Sequence, residues 1–218
     1  MAESVKPRRA YHSPLREAQA AATRLAVLGA AQRLFEAQGY PATTMEAIAA
    51  EAGVSLKTAY LTYATKPKLL RAVWDLLLKG DTGDAPVAAR AFYTEVMAEP
   101  DPQRRLRLNA RNATVVKQRI GGILRVIRSA APVEAEMASL WALIQSDFYG
   151  NQKAILEPVA AAGQLRAGLS LERAADTLWT LNHPDVWLLL HDERGWTPAE
   201  FETWLGDTSC ALLLPARS

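Results

Sequence analysis

The segment from Thr43 to Tyr63 constrains this chain more than any other. Thr43 or Thr44 caps a short helix with Glu46 in its first turn, Gly53 breaks that helix, and Ser55 caps another of barely two turns. Two short helices joined by a three-residue turn centred on a glycine have the geometry of a helix-turn-helix. Ala49 is small enough for the second helix to cross closely, and Gly53 permits a left-handed turn. Ile48, Val54 and Ala59 form the small core between the two. That leaves Ser55, Leu56, Lys57, Thr58 and Leu61 facing outward. A helix of this length spans about 10 Å at 1.5 Å per residue. It can lie in the major groove of double-stranded DNA and touch a few base pairs.

The rest of the chain reads as helix too, because no stretch alternates with period two for long. Apolar positions at spacings of three and four predict a helix from about Thr23 to Gln38, stopped by Gly39 and Pro41. Another follows from Thr65 or Lys66, with Pro67 in its first turn, through Trp74 and Leu77. Beyond the loop Gly80–Pro86, helices are expected near 87–98, 102–118, 119–130, 134–161, 171–192 and 198–213. Gly121–Gly122 weakens the second of these joins, Pro158 should bend or end its helix early, and Pro184 should break or kink the long penultimate segment. The expected class is all-α: a basic arm over 1–22, a helix-turn-helix domain over 23–80 and a helical domain over 84–218.

Charge separates the same regions. Residues 1–70 carry a net charge of +4 and the remainder −2, which points to one part that meets a polyanion and one that does not. Half the residues are hydrophobic and 22% charged, the composition of a globular chain. Apolar runs such as Val186–Leu190 are far too short to span a bilayer. The basic start lacks an apolar stretch, so a cytoplasmic location is expected, with no membrane partner.

The run AVLGAAQRLFEAQGYPATTMEAIAAEAGVSLKTAYLTYATKPKLL resembles the DNA-binding domain of the tetracycline-repressor (TetR) family. The matching pieces include Ala30-Ala31, Leu34-Phe35, Gly39-Tyr40, Thr43-Thr44, Ile48-Ala49, Ala52-Gly53-Val54-Ser55, Tyr60, Lys66 and Leu69-Leu70. Tyr63 stands where the family usually has Phe, and Pro67 where an acidic or polar residue is commoner. The C-terminal part resembles, more loosely, the ligand and dimer domain of such proteins. The resemblance implies a homodimeric repressor that grips a palindromic operator and lets go when a small molecule binds its C-terminal domain.

Residue chemistry assigns expected roles. Thr43 and Thr44 offer hydroxyls to a phosphate, and Ser55 caps its helix or touches phosphate as well. Leu56 shares the outward face; Lys57 reads a base edge or a phosphate, Thr58 a base or thymine methyl, and Leu61 a methyl. Tyr60 touches phosphate while packed on the domain, and Lys66 neutralises a phosphate. Lys6–Arg9 could enter a minor groove or remain solvated.

In the second half, Arg104, Arg107, Arg111, Arg125 and Arg128 form a stripe that is solvated, or receives Asp/Glu from a neighbouring helix, or binds an anion. Polar groups and aromatic rings on apolar faces mark a candidate ligand pocket: Asn109, Lys117, Trp141, Gln145, Phe148, Trp179, Asn182 and His183. Its occupant should be mostly hydrophobic, with a polar or anionic handle for Lys117 or His183. Trp179, Val186, Leu189, Leu190, Phe201, Trp204, Leu205 and Leu212 recur at helical spacings and suggest a self-complementary dimer face.

Enzyme readings find little. No phosphate-binding glycine loop, nucleophile elbow or HExxH occurs, and the single Cys210 excludes an internal disulfide and any multi-cysteine metal site. No catalytic residues, metal or cofactor are expected. The competing readings are a DNA-binding regulator controlled by a protein partner without a small-molecule ligand, and an enzyme that carries a helix-turn-helix.

Overall fold

The structure, a computed structural model, describes residues 14–81, 83 and 85–216. The Lys6–Arg9 expectation lies outside them. The described residues form ten α-helices and no strand: α1 (Pro14–Ala42), α2 (Met45–Glu51), α3 (Leu56–Thr62), α4 (Lys66–Lys79), α5 (Ala91–Ala98), α6 (Pro102–Ala130), α7 (Ala135–Ala161), α8 (Leu171–Leu181), α9 (Pro184–Leu188) and α10 (Pro198–Leu213).

Cap chemistry sets most boundaries. The side chains of Thr44, Ser55, Thr65, Ser170 and Thr197 each accept the backbone N–H of a residue three positions on. At α10 this becomes a full capping box, with Glu200 reaching back to the N–H of Thr197. Gly39 turns the chain at φ 78°, so that the last residues of α1 leave in a new direction. Asn182 and His183 interrupt the penultimate segment ahead of Pro184, as the proline requires, and a π-helical turn over Leu189–Glu193 ends it.

Three expectations need correction. Helix α1 begins at Pro14, so residues 14–22 are helical and not part of an arm. The stretch 102–130 is one helix of 29 residues and does not divide at Gly121–Gly122. There the glycines admit close neighbours: a Cβ on Gly122 would stand 2.6 Å from the Glu36 carboxylate of α1, and one on Gly121 3.6 Å from the Trp187 indole nitrogen. Pro158 does not end α7 early, and the helix runs three residues further, to Ala161.

Side chains of α6 enter all three apolar cores. Ile120, Ile123, Leu124, Val126 and Ile127 join α1–α4 and the first half of α7. Leu106 packs with Ile155, Leu156 and Val159 of α7 and Leu178 of α8. Ala110 meets Trp187, Phe201 and Leu205. Phe201 and Leu205, expected on a dimer face, are thus buried inside the chain. The Arg stripe of α6 receives acids in part: Arg107 pairs with Asp207 at 2.7 Å, Arg125 with Asp192 and Arg128 with Asp185.

Continuity of α6 can be tested at Gly121. Ala there meets only ordinary van der Waals contact and removes a helix-interior glycine. Gly121→Ala should therefore raise stability by about 0.5–1 kcal/mol in chemical denaturation. A loss of stability would mean that the helix breaks at this point.

Candidate DNA-binding and effector sites

The α2–α3 pair is held by a tight turn. Ala52 N–H returns to Ile48, Val54 N–H to the carbonyl of Ala49, and Gly53 sits at φ 68°. A Cβ on Gly53 would meet nothing within 4 Å, so the glycine is there for its torsion and not for space. Fully buried Ala59 seats α3 on the body. Opposite it, Leu56, Lys57, Tyr60 and Leu61 stand exposed on one arc, with Leu61 78% accessible. Thr58 is half-buried at the edge of this arc, its hydroxyl 2.7 Å from that of the capping Ser55. Thr44 is exposed and its hydroxyl oxygen accepts Ala47 N–H at 3.1 Å.

Thr43 and Lys66 are placed otherwise than expected. Thr43 is fully buried and its hydroxyl donates to the carbonyl of Gly39 at 2.8 Å. The Lys66 ammonium donates to the carbonyls of Tyr40 at 2.9 Å and Thr43 at 3.0 Å, and lies 4.1 Å from the centre of the Tyr40 ring. Burial holds its pKa below the usual lysine value. The Tyr40 hydroxyl is pushed up to about 12, mainly by burial and then by Glu134 and Glu136. Both residues thus tie the corner between α1 and α2 to the start of α4. That corner decides the direction in which α3 projects.

The second site is a cavity of about 210 Å³ enclosed by α4–α7 and the α8–α9 junction. Its walls are apolar, with Val116, Ile120 and Leu124 from α6 facing Leu140 and Ile144 from α7. At one end lies a buried polar chain. Asn109 and Asn182 both donate to the Gln152 side-chain oxygen, at 3.4 and 3.1 Å, and the Lys117 ammonium donates to the Asn182 oxygen. Lys117 stands within the apolar stripe of α6, between Ala113 and Ile120, and near the rings of Phe148 and Phe201. Desolvation alone draws its pKa down to about 7. Among the described residues no carboxylate forms an ion pair with it.

Of the residues expected around a ligand, Asn109, Lys117, Gln145, Phe148 and Asn182 line this cavity together. Trp141, Trp179 and His183 do not. Trp141 packs on the first core, because its position on α7 faces α1–α4. His183 caps α9 by accepting Asp185 N–H through Nδ1. That leaves Nε2–H to donate to the Gln145 oxygen at 3.1 Å, from behind the cavity wall. Trp179 stacks edge-on against His183 with its ring centre 4.8 Å away. Burial lowers the His183 pKa, Asp185 raises it, and Arg128 and Lys117 lower it further. Unforeseen lining residues include Asn112, Gln152, Asn151 and the Arg71–Asp75 pair of α4, joined at 2.9 Å. Gln152 was within reach of the sequence, two helical turns beyond Gln145 on the same face.

Comparisons with known proteins agree with the fold and with the helix-turn-helix. Residues 27–73 match the family model of bacterial regulatory proteins, tetR family. The helix-turn-helix-type transcriptional regulator TtgR of Pseudomonas putida is 31% identical over 201 residues, which cover 89% of this chain and 93% of that protein. Among solved structures, NalD, the secondary repressor of the MexAB-OprM multidrug efflux pump in Pseudomonas aeruginosa, is 22% identical. It superposes with a TM-score of 0.69 over 91% of this chain and all of its own. SmeT in complex with triclosan gives 0.66 at 18% identity, over 89% of this chain and 92% of that one.

The Lys66 geometry carries a prediction. Lys66→Ala should cost about 1–3 kcal/mol of stability by leaving two carbonyls without their charged donor. Thermal unfolding without DNA checks it. An unchanged midpoint, with a loss only in DNA affinity, would restore the phosphate role.

Proposed function

The chain belongs to the tetR family of bacterial regulatory proteins, and from that premise we propose that this helix-turn-helix transcriptional regulator is a cytoplasmic repressor, released from its operator by a small hydrophobic molecule in the α4–α7 cavity. One observation carries the reading. The face of α6 that lines the cavity continues into the core that seats α1 and α4, the helices that hold α2 and α3. An occupant that pushes on Val116, Ile120 or Leu124 therefore acts on the mount of α3. Ligand can shift DNA binding only through its different affinity for the competent and incompetent forms. A coupling of about 1–3 kcal/mol is typical, or roughly 5–150-fold in DNA affinity. That TtgR is a transcriptional regulator and that SmeT binds triclosan supports the reading.

In this reading residues 23–80 are the DNA-binding part and 84–218 the effector and dimerisation part. Lys57 reads a base edge from the exposed arc of α3, Leu56 and Leu61 meet thymine methyls or sugar, and Tyr60, Thr44, Ser55 and Thr58 serve the backbone and the adjacent base. Asn109, Lys117, Gln145, Phe148 and Asn182 contact the effector. The working form is a twofold homodimer that uses the exposed Leu189 and Leu212 and half-buried Trp204. Light scattering at micromolar concentration should give twice the 23.8 kDa chain mass, and a clean monomer would remove the dimer from the proposal.

The DNA reading is tested by mobility shift on the DNA upstream of its own gene. Lys57→Ala should cost about 1–3 kcal/mol on the matched operator and much less on operators altered at the contacted base pair. An equal loss on every sequence, with a shallower salt dependence, would make Lys57 a phosphate contact instead.

A further inference from the structure

The chemistry of the cavity narrows what can fill it. A buried ammonium normally faces a carboxylate, because a neutral amide returns only part of the hydration energy that it lost. Lys117 is 5% exposed and its hydrogen-bond acceptor is the neutral Asn182. The ammonium has three N–H groups, so two remain after that bond. The same cavity holds another donor without a partner, the buried side-chain nitrogen of Gln145, whose oxygen is taken by His183. The polar lining thus has donors to spare around an otherwise apolar space.

Resting on the pocket reading above, we propose that the effector of this site is a compact apolar or aromatic acid whose ionised oxygens pair with the Lys117 ammonium. The acid supplies the charge that the fold leaves out and both acceptors that the spare donors lack. Its hydrocarbon or ring lies along Ile120, Leu124, Leu140 and Ile144. An amine or other cation would meet a like charge.

Other charged and titratable groups around the cavity do not replace the acid. From α4, Asp75 is already paired with Arg71. Helix α5 contributes Tyr93, and α7 contributes the exposed Asp147. At the α8–α9 junction, His183 lies behind Gln145, with Asp185 and Arg128 beyond it. The contribution of α10 beside Lys117 is the Phe201 ring. Burial draws the Lys117 pKa down in the empty site, so pairing with an anion favours the charged form and takes up protons. Uptake should grow from pH 6 to pH 8, and affinity for the acid should weaken as the pH rises across that range.

The test uses the full-length protein and isothermal titration calorimetry with three matched pairs: benzoate, 4-isopropylbenzoate and 2-naphthoate, each against its primary amide. Titrations at pH 6, 7 and 8 in buffers of different ionisation enthalpy read proton uptake on the wild-type protein, with no variant needed. At least one acid should bind tenfold or more tightly than its amide, with uptake that grows from pH 6 to pH 8. Lys117→Met should lose that preference and keep amide binding. Amides that bind as well as the acids, together with hydrogen-exchange protection of α6 and α7, would overturn the acid proposal and leave the pocket reading standing. A preference for acids that survives in Lys117→Met, or that comes without proton uptake, would also overturn it. If neither series binds at all, both the proposal and the pocket reading fall.

Discussion

Everything in this molecule hangs on one uninterrupted helix. At 29 residues and 1.5 Å per residue, α6 is about 43 Å long. It is the only element whose side chains reach all three apolar cores among the described residues. Its start is anchored by buried Arg105, whose guanidinium donates to the carbonyls of Glu99 and Met97. Its middle carries the polar end of the cavity, and its last third is the floor under α1 and α4. A close-packed interior transmits small displacements without absorbing them. The cavity and the core that seats α1 and α4 thus lie along one and the same helix.

Much of this was legible in the sequence, and what was legible was local. Thr44, Ser55, Thr65 and Thr197 announce helix starts because a cap depends on residues only two or three positions away. Gly39 and Gly53 announce corners for the same reason. Lys117 was conspicuous because a lysine interrupts a run of apolar positions at three-four spacing. Several of the misplacements involve distant partners. Lys66 looked like a surface donor until the carbonyls of Thr43 and Tyr40, 23 and 26 residues away, claimed it, while the Thr43 hydroxyl is claimed by Gly39, four residues back at the corner of α1. Gly121–Gly122 looked like a break because nothing local reveals that Glu36 and Trp187 come to rest there. Trp141 and Trp179 lie on the right helices, but periodicity cannot say which of two buried sides faces a void.

The polar chain in the cavity shows how a buried cation is tolerated. Asn109, Gln152 and Asn182 are all at least 93% buried, and each spends a donor or acceptor on another member. Complete satisfaction of such a chain matters more than its size, since a single unmet group loses its hydration with no return. Here the chain is closed on one side by Lys117 and open towards the cavity.

The two halves of α7 belong to different neighbourhoods. Met137, Leu140 and Ile144 share the core of α1–α4, whereas Ile155, Leu156 and Val159 pack with α8 and the end of α10. Replacements in the first half, or anywhere on the inner face of α6, therefore disturb the core under α1–α4 and the cavity wall together. Phe148 and Asn151 line the cavity from the far half and are free of that double duty. Under the proposed function, drift in effector preference has its least constrained path there, where a side chain can change what is sensed without changing what is read.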